Sequence, residues 1–163
     1  GRTRGTIGGP IANNHPAADY PAGCVGLNAT IVTNKREIPG EAFFTNLFET
    51  ALEEGELVTA VSFPIPDKAA YAKFPNPASR YAIVGVMVAQ TGGETRAAVT
   101  GASDSGVFRA ADIEAALGSG LDAAAAKAVK VSADGLNSDI HASAEYRAHL
   151  ISIMASRAAA AAS

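Results

Sequence analysis

Thr6-Ile7-Gly8-Gly9 stands near the start of the chain, and Asn13-Asn14-His15-Pro16-Ala17-Ala18-Asp19-Tyr20-Pro21 follows shortly after it. Adjacent glycines carry no Cβ to block a close approach and accept φ > 0, so consecutive N–H groups can converge on one anion. Thr6 adds a hydroxyl donor, and Asp19 offers a carboxylate suited to ribityl or ribose hydroxyls, as an acidic residue does in other nucleotide sites. The chemistry these types support is a grip on a phosphorylated cofactor. Taken alone, Gly8-Gly9 is equally compatible with an ordinary tight turn, and Asn13 and Asp19 are types that close turns and cap helices. Pro10 lacks an N–H and removes one potential donor.

Other chemistries find less support. There is no His-x-x-x-His or Cys-x-x-Cys spacing for a metal, and His141 and His149 read as structural or exposed. Cys24 is the one cysteine, so neither a disulfide framework nor a self-contained iron–sulfur cluster can be built. Ser103-Asp104-Ser105-Gly106 lacks the arrangement of a nucleophile elbow and reads as a turn. A formal charge of −3 and a pI near 5.6 leave no basic stripe for nucleic acid. The 163 residues, 48% hydrophobic and 18% charged, suffice for one core or two small packed lobes. The first residues carry no apolar stretch, and no segment is long enough to span a bilayer, so a cytoplasmic location is expected.

The elements that must position these residues follow from pattern. Pro16 to Leu27 reads as a helix with proline confined to its start, and Ala29 to Thr33 as a β-branched strand. Gly40 to Asn46 reads as a short helix and Leu57 to Phe63 as a strand stopped by Pro64 and Pro66. Pro64 to Lys68 is the expected lobe boundary, dividing residues 1–66 from 67–163. Beyond it, Ala70 to Phe74, Tyr81 to Gln90 and Thr95 to Ala102 predict a three-stranded antiparallel meander with a hairpin at Thr91–Glu94. Helices are expected at Ala110 to Leu117, Leu121 to Val131 and Ala144 to Ala162, the last capped by Ser143. The fold class is α+β, with an antiparallel sheet packed on a helical bundle as the second lobe.

The order of motifs resembles the FAD-binding medium subunit of molybdenum hydroxylases, the carbon monoxide dehydrogenase and xanthine dehydrogenase family. The residues are Arg2-Thr3-Arg4-Gly5-Thr6-Ile7-Gly8-Gly9-Pro10, then Ala12 to Ala22, Ala51-Leu52, Glu54 to Val58, Tyr71-Ala72-Lys73-Phe74 and Ser143 to Arg147. The resemblance implies the remainder of a PCMH-type FAD-binding domain at 1–66, with its N-terminal half missing, and a carbon monoxide dehydrogenase flavoprotein C-terminal-like domain at 67–163. It implies FAD contacts from Thr6, Ile7, Gly8, Gly9, Asn13 and Asp19. Leu57 and Val58 are expected against the isoalloxazine ring, Lys73 near its pyrimidine end, and Tyr81, after the Pro75–Arg80 loop, over its face. The structural alternatives are strand core for Leu57 and Val58 and a solvated strand lysine for Lys73.

The resemblance further implies a division of labour. Substrate is oxidised at molybdopterin on a large partner subunit, electrons cross [2Fe–2S] clusters on a small one, and FAD on this subunit passes them to an acceptor. This oxidoreductase subunit is expected to hold FAD poorly, and to be inactive, as an isolated piece. The alternative is a non-catalytic assembly domain with an unused glycine turn.

Overall fold

The computed structural model describes residues 5–162, and Arg2, Thr3 and Arg4 of the motif lie outside the described residues. The first core gathers around a small antiparallel sheet of β1 (Thr30–Thr33), β2 (Glu37–Pro39) and β5 (Val58–Ser62), in the order β2-β1-β5. β1 alternates as its sequence predicts, with Ile31 and Thr33 inward and Thr30 and Val32 half-buried. Ile31 meets Ile11 of helix α1 (Gly8–Asn13), Cys24 of α2 (Asp19–Gly26), Ile38 of β2 and Phe43 of the one-turn helix α3 (Gly40–Phe43). Burial pushes the Cys24 thiol up to about 12, so it stays a neutral packing group.

Two expectations change here. The helix expected over Gly40 to Asn46 stops at Phe43, because Phe44–Asn46 forms β3 and pairs with β4 (Glu49–Thr50). Asn14 explains the switch: its side-chain amide donates to Asn46 O at 2.7 Å and Glu49 O at 2.8 Å, which ties the hairpin down. The helix expected from Pro16 begins instead at Asp19, because the carbonyls of Pro16, Ala17 and Ala18 accept hydrogen bonds from the second lobe.

That lobe is a meander of β6 (Lys68–Pro75), β7 (Ala82–Thr91) and β8 (Glu94–Thr100), extended by a two-residue fourth strand, β9 (Phe108–Arg109). Val84, Val86 and Val88 of β7 and Ala97 and Val99 of β8 pack under α4 (Ala111–Leu117) and α6 (Ala144–Ala162). Between these helices, α5 (Ala123–Ala128) is shorter than the Leu121–Val131 expected. Asp122 caps it by accepting from the amides of Ala124 and Ala125, and Val129 is already extended. At α6, Ser143 Oγ accepts from Tyr146 N at 3.2 Å, the expected cap. Arg147 is buried and donates to Ile83 O, Gly101 O and Asp139 Oδ2, which ties α6 to the ends of β7 and β8.

Helix α2 joins the two cores. Ala22 and Val25 pack on Met87 and Ala98, across the sheet from the α6 side. Strand alternation then decides the site: Ala72 and Phe74 of β6 face the α6 core, while Tyr71 and Lys73 face α2.

Candidate functional site

Asp19 is the first residue of α2, where a carboxylate is favoured by the helix dipole. Its backbone is fixed by β8: Thr100 Oγ1 lies 3.0 Å from Pro16 O and 2.7 Å from Ala18 O, and Gly101 N donates to Pro16 O at 2.9 Å. Its side chain is fixed by β6. Tyr71 Oη donates to Asp19 Oδ1 at 2.6 Å, and Lys73 Nζ pairs with Asp19 Oδ2 at 2.8 Å. Burial first, and then the Asp19 bond, raise the Tyr71 phenol above its ordinary pKa, so it remains a donor.

Lys73 also reaches Arg80 O at 3.2 Å, which attaches the loop between β6 and β7 to the same point. Asn76 closes that loop: its Oδ1 accepts from Ala78 N at 2.9 Å and Ser79 N at 3.2 Å, and its carbonyl accepts from Arg80 N. Arg80 has φ 66°, the left-handed region that costs a non-glycine residue strain, and such strain clusters at ligand-holding sites. Tyr81 follows, 48% exposed, its ring stacked on His15 at 4.6 Å, and His15 in turn meets the edge of Phe48 at 5.2 Å.

An open cleft of about 420 Å³ lies among Pro10 of α1, the Ala18–Tyr20 start of α2, and Ser79, Arg80 and Tyr81. It brings into one place Asp19, Tyr81 and the helix that Gly8 and Gly9 open. Those glycines do not form a turn with φ > 0; they are the first two residues of α1. The anion-binding logic shifts accordingly, from a curled turn to the unpaired amides of a helix start. Val58 lies beside them, since a Cβ on Gly8 would sit 3.9 Å from Val58 Cγ1. Leu57 is 67% exposed next to it, and Thr6, Ile7 and Asn13 are exposed.

Sequence reasoning missed Tyr71, whose position two residues before Lys73 on one strand was the available signal. It also favoured Asn13 over its neighbour. Asn14, with φ 43°, is the buried residue that ends α1, a place where Asn tolerates the left-handed conformation. The stacking of His15 on Tyr81, 66 positions apart in sequence, had no local signal.

Residues 1–66 match the family described as the FAD binding domain in molybdopterin dehydrogenase. The glyceraldehyde dehydrogenase medium chain of Sulfolobus acidocaldarius is 39% identical over 94 residues, 54% of this chain and 34% of that protein. The nicotine 6-hydroxylase medium subunit of Paenarthrobacter nicotinovorans is 31% identical over 163 residues, covering 92% of this chain and 58% of the other. The crystal structure of carbon monoxide dehydrogenase from Hydrogenophaga pseudoflava, in a form lacking the Mo-pyranopterin moiety, aligns with a TM-score of 0.80 at 29% identity. That alignment covers 99% of this chain and 61% of the other. The chain thus spans about a third to three fifths of the length of these three proteins. Residues 1–66 thus carry that FAD-binding family's match, and motif order, fold and these alignments make the chain similar over nearly its whole length to the medium subunits of molybdenum hydroxylases, carbon monoxide dehydrogenase medium chain among them.

Proposed function

We propose that this chain is part of an FAD-holding medium subunit of a molybdenum hydroxylase, with residues 1–66 in the FAD-binding domain and 67–163 in a C-terminal domain. The observation that carries this reading is the glycine pair in α1. Both glycines have helical backbone with no positive φ, and among the described residues a Cβ on Gly8 would make only ordinary contact, 3.9 Å from Val58 Cγ1. Gly9 precedes Pro10, whose ring crowds a preceding Cβ in helical backbone, whereas no contact among the described residues requires glycine at Gly8. Open space over two amide-bearing residues at a helix start suits a diphosphate approaching from outside the chain.

In this reading Thr6, Ile7, Gly8 and Gly9 hold the pyrophosphate, with Asn13 beside it, and Asp19 accepts from the ribityl hydroxyls. Leu57 and Val58 supply an apolar wall, Lys73 holds positive charge by Asp19, and Tyr81 covers the open side. FAD, when bound, supplies reversible electron acceptance. The chain's own residues orient it, exclude water and set the local charge.

Electrons are proposed to arrive from [2Fe–2S] clusters of a small partner subunit. Substrate oxidation is assigned to molybdopterin on a large partner subunit, in the cytoplasm. Among the described residues no helix is long and apolar enough to cross a membrane. The alternative of an assembly domain with idle glycines is not favoured, because the family match falls on the glycine-bearing residues themselves.

Gly8→Ala in the natural protein tests the reading. A Cβ there makes only ordinary contact with Val58 at 3.9 Å among the described residues, so folding is retained while retained flavin, read by visible absorbance after gel filtration, falls at least ten-fold. Full flavin content in the folded variant refutes the proposal.

A further inference from the structure

Asp19 is 45% exposed at its side chain, and a carboxylate that open to water ordinarily samples several rotamers. Two donors from adjacent positions on one face of β6 hold this one, one on each oxygen. A carboxylate offers about four lone-pair sites. With Tyr71 on Oδ1 and Lys73 on Oδ2, each oxygen keeps one site, and the side chain is 45% exposed. That arrangement fits a pair of neighbouring hydroxyls.

The sheet is built to admit the Tyr71 hydroxyl. Lys73 pairs across the ladder with Gly85, and Gly85 pairs with Thr100. A Cβ on Gly85 would overlap the Tyr71 hydroxyl and approach Thr100 Cγ2 to 3.1 Å. Glycine at this mid-strand position weakens a strand unless something must pass close to the backbone. Here the phenol passes over it on the way to Asp19. Thr100, the next rung, fixes the carbonyls leading into Asp19. Three consecutive strands thus supply side-chain, space and backbone control of one carboxylate.

We propose that Tyr71 is a positioning residue for cofactor binding: acting through Asp19, and seated over Gly85, it presets the carboxylate to accept a vicinal hydroxyl pair of the flavin's polyol chain. This rests on the flavin reading above. Lys73 alone is a flexible point charge that leaves the second oxygen unoriented. Tyr71 carries the direction and Lys73 the charge.

The test is FAD titration of flavin-stripped natural protein, followed by fluorescence, for wild type, Tyr71→Phe, Asp19→Asn and the double variant. Tyr71→Phe raises Kd about ten-fold, the scale of one hydrogen bond to a charged group. In the Asp19→Asn background the same change adds less than about two-fold, since its route is already broken. A purely structural tyrosine gives additive effects instead. A second readout needs no flavin: in Asp19→Asn, Tyr71 ionises at lower pH than in wild type, followed by NMR of labelled tyrosine. Unchanged Kd in Tyr71→Phe, additive losses, or an unmoved Tyr71 titration each overturn the positioning role while the flavin reading stands. Failure of the wild type to bind FAD overturns the flavin reading, and this proposal with it.

Discussion

Thr33, Arg36 and Glu56 form a polar cluster under the β1 end of the first core. Glu56 is buried, and accepts from Thr33 Oγ1 at 2.7 Å, from Arg36 Nε at 3.0 Å and from Glu53 N at 2.8 Å. The Arg36 hydrogen bond, then the Glu53 amide and the Thr33 hydroxyl, hold its carboxyl at about 2, below the ordinary 4.5. A carboxyl depressed in the folded state stabilises the fold above its unfolded pKa and loses that contribution as pH falls through the folded value. Glu56→Gln is therefore less stable than wild type at neutral pH, and the gap closes as pH is lowered from 4.5 to about 2. Thermal melts of both proteins across that window check this; a gap that persists to the acid end contradicts it. The sequence showed Glu56 only as one acid in an acidic run, because its two basic and hydroxyl partners lie 20 and 23 positions away.

At the scale of elements, β6, β7 and β8 are the part most legible from sequence. Alternating apolar residues and the Gly92-Gly93 hairpin fix their order, and the structure pairs Thr91 with Glu94 as the turn requires. The fourth strand, β9, escaped notice because two residues carry no periodicity. Gly85 has no local explanation within a strongly apolar strand, and its reason is a tyrosine on the next strand. Gly85→Ala forces the Tyr71 ring and Thr100 apart, and destabilises the protein by roughly 1–3 kcal/mol, the cost typical of overpacking. Urea unfolding measures it; a variant as stable as wild type shows that the phenol does not cross this backbone.

The whole molecule depends on α2, which packs one face into each core. Val25 is 3% exposed against Met87 and Ala98, and the ion pairs Arg96–Glu41 and Arg109–Glu41 flank the same junction. A positive charge introduced there has no partner in the apolar contact and faces Arg96, whose Nη1 donates to Val25 O at 3.5 Å. Val25→Lys is expected to uncouple the two cores, so that amide exchange in β1 and β5 quickens well before that in β7 and β8. Uniform acceleration across both sheets indicates a single cooperative unit instead.

The sequence by itself determined the local grammar: which segments alternate, where prolines stop strands, where Ser143 caps a helix, and which motifs follow one another. Those are short-range consequences of backbone sterics and hydrophobic period, and they are readable without neighbours. Tertiary structure decided what the chemistry-bearing residues touch. Lys73 meets Asp19 across 54 positions and Tyr71 meets it across 52, because α2 is pinned to the sheet face on which both project. The glycine pair became a helix start, and Asn14 took the buried role while Asn13 faced outward. Such outcomes depend on which elements pack together, and packing is set by the summed burial of two cores that no local window contains.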